Sequence, residues 1–272
     1  VQPPGVTFVP MIYSARRLEH AVEGPRVLGF NEPDHPTQAD ITVGEALRVW
    51  PEVARKAPIV GAPAMAGNPV TGDWLPRFMH AGPRVDFVTM HWYKGPNVKK
   101  FIGDVEALHA KYGRPVWVTE FAAQTTSSSA EDPGKYTQAE VSRFIADVTD
   151  WMEVTPWVEA YAWHDSRAGT SALFDGKGEL TATGRAYARA GGPQRVTVVF
   201  VGADKISVRP GDGKDASVPS TKYLVTPATT ITVDGAPAPL AAIKAGHKVV
   251  IVPRPDDGGT AASIASLKSR QK

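Results

Sequence analysis

Cysteine is absent from all 272 residues, which excludes disulfide staples and thiolate metal centres. That absence does not settle the compartment. An excess of one charge is missing too: 30 Lys and Arg stand against 28 Asp and Glu, a formal net charge of +2. The balance gives no electrostatic argument for nucleic acid or an anionic membrane as partner. No run of about 18 apolar residues occurs, so no membrane-spanning helix is expected. Val1-Gln2-Pro3-Pro4-Gly5 lacks the basic start and apolar centre of a signal peptide. Without an initiating Met, the chain reads as a processed or cropped piece of something longer. H-E-x-x-H, an EF-hand loop, a P-loop, G-x-G-x-x-G and a G-x-S-x-G elbow are also missing. The familiar routes to zinc, calcium, nucleotide and α/β-hydrolase chemistry lose their support with them.

What is present is an alternation of two grammars. Residues 6–13 (VTFVPMIY), 27–30, 59–65 (IVGAPAM), 87–93 (FVTMHWY), 116–121 and 159–163 (EAYAW) are apolar runs of strand length. Amphipathic stretches lie between them. Thr42 and Glu45 make a T-x-x-E capping box ahead of a helix carrying Leu47 and Trp50, which Pro51 should kink or restart. Trp74, Leu75, Phe78 and Met79 mark a short helix, and residues 14–23 read as a polar helical segment. Val98, Phe101, Ile102, Val105, Leu108 and Tyr112 recur at helical spacing, with Gly113 as the stop. After a polar loop over residues 123–136, Thr137 and Glu140 open a helix with Val141, Phe144, Ile145, Val148 and Met152 on its apolar face.

This alternation argues for parallel βαβ units. Six strands precede residue 165, against the eight of a closed barrel. The alternatives are an open doubly wound sheet and a (β/α)8 TIM-barrel type lacking its first two strands. The second is preferred, giving an α/β domain over residues 1–192 that is N-terminally incomplete. Near Gly191-Gly192-Pro193 the pattern changes to short β runs separated by turn residues, with Asp234-Gly235 a hairpin signal. A small all-β, barrel-like module is expected over 194–255, with one helical turn at 240–244 and a weakly ordered tail at 256–272.

Two of the buried runs end in a carboxylate. Val27-Leu28-Gly29-Phe30 leads to Asn31-Glu32-Pro33, and Val116-Trp117-Val118-Thr119 leads to Glu120. In a parallel α/β barrel the C-terminal mouth of the strands is where chemistry happens. Two carboxylates across a sugar suit glycosidic cleavage, one donating a proton and the other attacking carbon or stabilising the cation. A separation of about 5–5.5 Å would mean retention of configuration, and about 6.5–9.5 Å inversion. The competing reading makes both surface carboxylates at strand ends. Asn31 is the non-titrating partner for a sugar hydroxyl, or else a turn former before Pro33. His91, Trp92 and Tyr93 cluster at another strand end, though alternation leaves Trp92 free to face the core instead. Trp163 is the candidate sugar platform, with His164 and Asp165 on the rim. As metal ligands, Asp34, His35, His91, His164 and Asp165 lack any recognised spacing, so neither metal nor other cofactor is expected.

LGFNEPD at 28–34, MHWY at 90–93, VWVTEFA at 116–122 and YAW at 161–163 together resemble glycoside hydrolase family 128, a clan A (β/α)8-barrel family of β-1,3-glucanases. FVPM at 8–11 fits that family's third strand, and the resemblance runs over about residues 6–190. It implies Glu32 as acid/base, Glu120 as nucleophile, and Asn31 on the sugar 2-hydroxyl. It further implies His91 and Tyr93 ordering the nucleophile, and Trp163 flooring the cleft. The expected activity is retaining, endo-acting hydrolysis of β-1,3-glucan, secreted or periplasmic, by a monomer. Another β-glycanase (mannan, xylan or β-1,4-glucan) and a non-catalytic glycan-binding cell-surface protein are the alternatives. For the C-terminal module a spacer role and carbohydrate binding both stand, with Phe200 and Tyr223 as its few aromatics.

Overall fold

The computed structural model describes residues 8–123, 136–153, 155–164, 169–190, 194–209, 211–216, 218, 220–253 and 260–266. Two compact units divide the chain. The first comprises Val1–Trp92, Gly103–Phe121 and Trp157–Trp163. The second comprises Tyr93–Ile102, Ala122–Pro156 and His164–Lys272.

The first unit is built on parallel extended segments. Leu28 N–H donates to Pro10 O at 2.9 Å and Ile12 N–H to Leu28 O at 3.0 Å. Strand β1 (Arg26–Val27) pairs in parallel with β2 (Ile59–Val60), and the bridges Asn31–Ala64 and Gly61–Phe87 carry the pairing further. Strands β3 (Val88–Tyr93), β4 (Val116–Ala122) and β5 (Val158–Trp163) adjoin in that order, β4 and β5 parallel. Six segments therefore lie side by side in chain order. Strand β3 is buried at every residue but the last, so both of its faces are covered. Coverage on both faces demands apolar side chains throughout, which is why these strands read as unbroken hydrophobic runs.

Helices follow the strands. Helix α1 (Val43–Ala54) starts at the expected box: Glu45 N–H donates to Thr42 Oγ1, and Glu45 Oε2 accepts from Thr42 N–H. It does not restart at Pro51 but continues to Ala54. Helix α2 (Trp74–His80) follows, and α3 (Val98–Tyr112) stops before Gly113 as its sequence implies. The polar segment 14–23 yields only a 3-10 turn at Ala15–Arg17, where Ser14 supplies no cap. Trp50 fixes α1 in the core, edge-on to Phe30 at 5.8 Å and to Phe78 at 4.9 Å. A Cβ at Gly29 would stand 2.8 Å from the Trp50 ring and 2.9 Å from Gly61 O. The strand that delivers Glu32 thus approaches its neighbours at a distance only glycine permits.

In the second unit, helix α4 (Gln138–Glu153) carries the second capping box, with Thr137 N–H donating to Glu140 Oε2 at 2.8 Å. Phe101 meets Phe144 and Trp151 edge-on. Helix α5 (Ala182–Tyr187) is capped by Thr181. The sheet contains β6 (Gln194–Val201), β7 (Lys205–Arg209), β8 (Thr221–Leu224), β9 (Thr230–Val233), β10 (Ala236–Pro237), β11 (Lys248–Pro253) and β12 (Ala261–Ser266). Its order is β10-β9-β12-β11-β6-β7-β8. Val198, Ile206, Val208, Tyr223, Val249, Ile251 and Ile264 form its core. Asp234 and Gly235, at φ +51° and +81°, turn β9 into β10 as the hairpin signal requires.

The expected weak tail is corrected within its described part. Strand β12 lies between β9 and β11, with Ala261 and Ile264 fully buried. Its Ala and Ser residues hid it, because small side chains carry little β signal. The junction at Gly191-Gly192-Pro193 lies outside the described residues.

Helix α4 also carries two unusual acids. Burial pushes the Asp147 carboxyl up to about 6, Arg143 opposing and Asp212 adding to it. Burial pushes Asp150 up to about 7, with Asp147 and Glu153 adding to it. Both stand above the ordinary value of 3.8, so between there and about 7 the folded chain holds protons that the unfolded chain has released. Stability must fall as pH rises through that window.

Two outcomes follow. Gly29→Ala should destabilise by about 1–3 kcal/mol in urea unfolding, as overpacking does. Asp150→Asn should stabilise at pH 8 more than at pH 5, shrinking the wild-type gap between the two by on the order of 1–3 kcal/mol.

Candidate active site

The site begins at the end of the apolar run through Phe30. Asn31 N–H donates to Tyr13 O at 3.0 Å and Glu32 N–H to Ala64 O at 2.8 Å, so this stretch is held by the segments on both sides. At Glu32 the backbone turns left-handed, φ +43°. For a residue with a Cβ such a conformation costs about 1–3 kcal/mol, and the ring of Pro33 crowds it further. The following loop holds the turn in place. Glu32 O accepts from His35 N–H, Pro33 O from Ile41 N–H, and Asn31 O from Ala39 N–H. The Asp34 carboxylate accepts from the amides of Ala66 and Gly67 at 2.9 and 2.8 Å.

The turned side chain meets His91 on β3. His91 Nδ1 lies 2.8 Å from Glu32 Oε1 and 3.5 Å from Glu120 Oε2, the latter at the end of β4. One ligand atom from each of the three residues lies within 4.8 Å of the others. Two carboxylates from separate strands, 88 positions apart, therefore converge on one imidazole nitrogen. Exposure is graded: the His91 side chain is 1 % exposed, Glu32 13 % and Glu120 28 %. His91 is the dry floor and Glu120 the open side. Thr119 Oγ1 donates to Met90 O at 3.4 Å, linking β4 to β3 just before the two site residues.

The other expected residues separate into groups. Asn31 is buried beside the site, and its Nδ2 donates to Gln38 Oε1 at 3.3 Å. The same oxygen accepts from the Tyr13 hydroxyl. Neither Gln38 nor Tyr13 was singled out from sequence, since nothing local marks a loop Gln as the partner of a strand-end Asn. For Trp92 the structure takes the core alternative: it is 1 % exposed and its Nε1–H donates to Asp104 Oδ2 at 3.1 Å. Strand alternation turns it away from the side His91 occupies. Trp163 is 5 % exposed, with its ring edge-on to Phe121 at 5.0 Å. Tyr93 closes β3 in the second unit, with its ring edge-on to His164 at 5.5 Å. Of the metal candidates, Asp34 caps the amides of the neighbouring loop, His35 Nδ1 accepts from Thr37 N–H in its own loop, and Asp165 lies outside the described residues. Two carboxylates and an imidazole are nonetheless a donor set that a divalent cation accepts.

A family model for the glycosyl hydrolase catalytic core matches residues 1–187. Among solved structures, a GH128 subgroup I endo-β-1,3-glucanase from Amycolatopsis mediterranei in complex with laminaritriose is 34 % identical, with a TM-score of 0.62. That match covers 70 % of this chain and 85 % of the other. A GH128 subgroup VII oligosaccharide-binding protein from Trichoderma gamsii is 26 % identical at a TM-score of 0.58, covering 67 % of this chain and 78 % of that one. Alkali-sensitive linkage protein 1 of Schizosaccharomyces pombe is 33 % identical over 117 residues, which is 39 % of this chain and 21 % of that protein. The chain thus spans about a fifth of the curated relative it matches.

Trp92→Phe separates a core residue from a ligand residue. Losing the Nε1–Asp104 bond should cost about 1–3 kcal/mol of unfolding free energy, while ligand affinity at the Glu32–Glu120 site, measured by calorimetry, should stay within twofold.

Proposed function

The chain belongs to glycoside hydrolase family 128, with a glycosyl hydrolase catalytic core over residues 1–187, and from that premise we propose that it hydrolyses β-1,3-glucan with retention of anomeric configuration. The observation that carries this reading is the approach of Glu32 and Glu120 to within 4.8 Å across His91. Inverting enzymes keep their carboxyl groups about 6.5–9.5 Å apart to admit a water, and retaining ones about 5–5.5 Å. The spacing here supports direct attack by one carboxylate.

Glu32 is assigned as acid/base and Glu120 as nucleophile. A carboxyl that must keep its proton belongs in the drier place, and Glu32 is the less exposed of the two. With His91 Nδ1–H donating to Glu32 Oε1, the acid proton resides on Oε2 and passes to the leaving glycosidic oxygen. Glu120 attacks the anomeric carbon from the opposite face and forms the glycosyl-enzyme ester. Glu32, now ionised, takes a proton from water, and the resulting hydroxide equivalent releases the sugar. His91 keeps both carboxylates in register during the exchange of roles. Asn31, its Nδ2 fixed on Gln38, offers its amide to a sugar hydroxyl, an interaction that strengthens in such transition states.

The architecture proposed is the (β/α)8 barrel type, of which the described residues supply six neighbouring strands, with a small barrel-like module after it. Within the module, the bridge Leu224–Thr260 supports closure of the sheet from β8 toward β12. Secretion and action as an endo-acting monomer complete the proposal. A second reading, glycan binding without turnover, is favoured by the likeness to the Trichoderma gamsii protein.

Reducing-sugar release from laminarin and from a β-1,4-glucan, assayed side by side, tests the substrate. Release from laminarin alone is expected, with the product's first-formed anomer β by NMR. Glu120→Ala should lower kcat by on the order of 10³ or more with the fold kept by circular dichroism. EDTA should leave the rate unchanged. Binding without release would favour the second reading, and chelator-sensitive turnover would replace the carboxylate mechanism with a metal one.

A further inference from the structure

The second unit contains a cleft of about 750 Å³, remote in sequence from the three site residues. Arg143, Asp147 and Asp150 line it from α4, Arg185 and Arg189 from α5 and the turn after it, and Lys248 from the start of β11. Spacings of three and four residues put the α4 groups on a single helix face. The volume falls in the roughly 300–1,000 Å³ range of small-ligand sites. Independently of the glucanase reading, we propose that this cleft binds phosphate, whose oxygens take donors from the two helical segments and the strand.

Four cations line the cleft against two carboxyls, so it stays positive even with both acids ionised. Among the described residues no ion pair at salt-bridge distance joins the two sets. The cations are exposed, and Arg185 engages only Nη1, on Leu180 O at 2.5 Å. Basic groups that stand unpaired beside acids keep their donors for a ligand. Ser142 Oγ, on the same face of α4, is buried and has no partner among the described residues. An oxyanion in the cleft would supply the acceptor that this hydroxyl lacks. The two acids do not bar an anion. Burial lifts both well above the ordinary carboxylate value, so near neutral pH each is protonated part of the time and can donate. The other titratable groups that act on them are Glu153 on α4, Asp212 in the turn after β7, and Tyr223 on β8, whose hydroxyl burial keeps neutral. A carboxylate ligand takes its donors in one plane. Phosphate oxygens point in several directions, which suits donors arriving from separate elements.

The test is calorimetric titration at pH 5.5 and pH 8 with inorganic phosphate and with a glycerol phosphate polymer, whose diester charge is the same at both. Arg189→Gln and Lys248→Gln are compared with Lys244→Gln, which removes an exposed cation outside the cleft. Loss of one charge-assisted contact predicts a Kd raised about three- to tenfold in the first two variants, and moved less than twofold in the third. For the polymer, wild-type affinity should rise about threefold or more from pH 8 to pH 5.5 as the carboxyls take up protons. The Asp147→Asn, Asp150→Asn double variant should show less than twofold change over the same range. Tighter binding of the polymer than of the ion assigns a phosphate-bearing chain as the occupant, and the reverse assigns the free ion. No saturable binding of either probe, equal weakening by all three single substitutions, or a pH gain kept whole in the double variant overturns the proposal. The three single variants should cleave laminarin at the wild-type rate, so failure of this site and failure of the glucanase reading are told apart.

Discussion

A single imidazole nitrogen placed between two carboxylates is the contact on which the rest of the first unit depends. Like charges drawn this close repel unless something lies between them that both can use. His91 serves that purpose because β3 buries it almost completely, so its ring cannot swing away. The surrounding order serves to deliver three side chains from three strands to one point. Parallel strands in chain order bring the ends of β3 and β4 and the Glu32 turn to the same end of the sheet. An antiparallel arrangement would have placed neighbouring strand ends at opposite edges.

Delivery at Glu32 carries its own difficulty. A strand that simply continued would point successive side chains to opposite faces. The left-handed turn breaks that alternation and aims Glu32 at His91. It survives because the loop from Pro33 to Ile41 is fastened at its two ends and the Asp34 carboxylate caps the amides of the neighbouring loop. Local strain is thus held by many ordinary hydrogen bonds, none of them exceptional alone.

What was legible in the sequence, and what was not, follows the range over which each signal acts. The capping boxes at Thr42 and Thr137, the periodic faces of α3 and α4 and the Asp234-Gly235 turn are local patterns, and the structure contains each. The convergence of Glu32, His91 and Glu120 was suggested by strand ends, because parallel topology converts such ends into neighbours. The burial of Trp92 and Trp163 was not legible, because aromatic type does not reveal which side of a strand a ring occupies. Gln38 escaped notice because its importance comes from a partner in another element, and a loop glutamine has no periodicity. Strand β12 escaped because Ala and Ser mask burial that the sheet supplies from both sides.

The position of β12 bears on how the second sheet comes into being. Without it the sheet falls into two pieces, the β9-β10 hairpin on one side and the β11-β6-β7-β8 meander on the other. During synthesis those pieces have no common partner until residues 261–266 leave the ribosome. Closure then pairs β12 with β11, the strand just before it, and with β9, 33 positions back from Ser263 to Thr230. Until it happens, β9 and β11 each present an unpaired edge to any other chain nearby. The assembly of this module is therefore gated by the arrival of its final strand, and a nascent chain halted before that point exposes two adhesive borders.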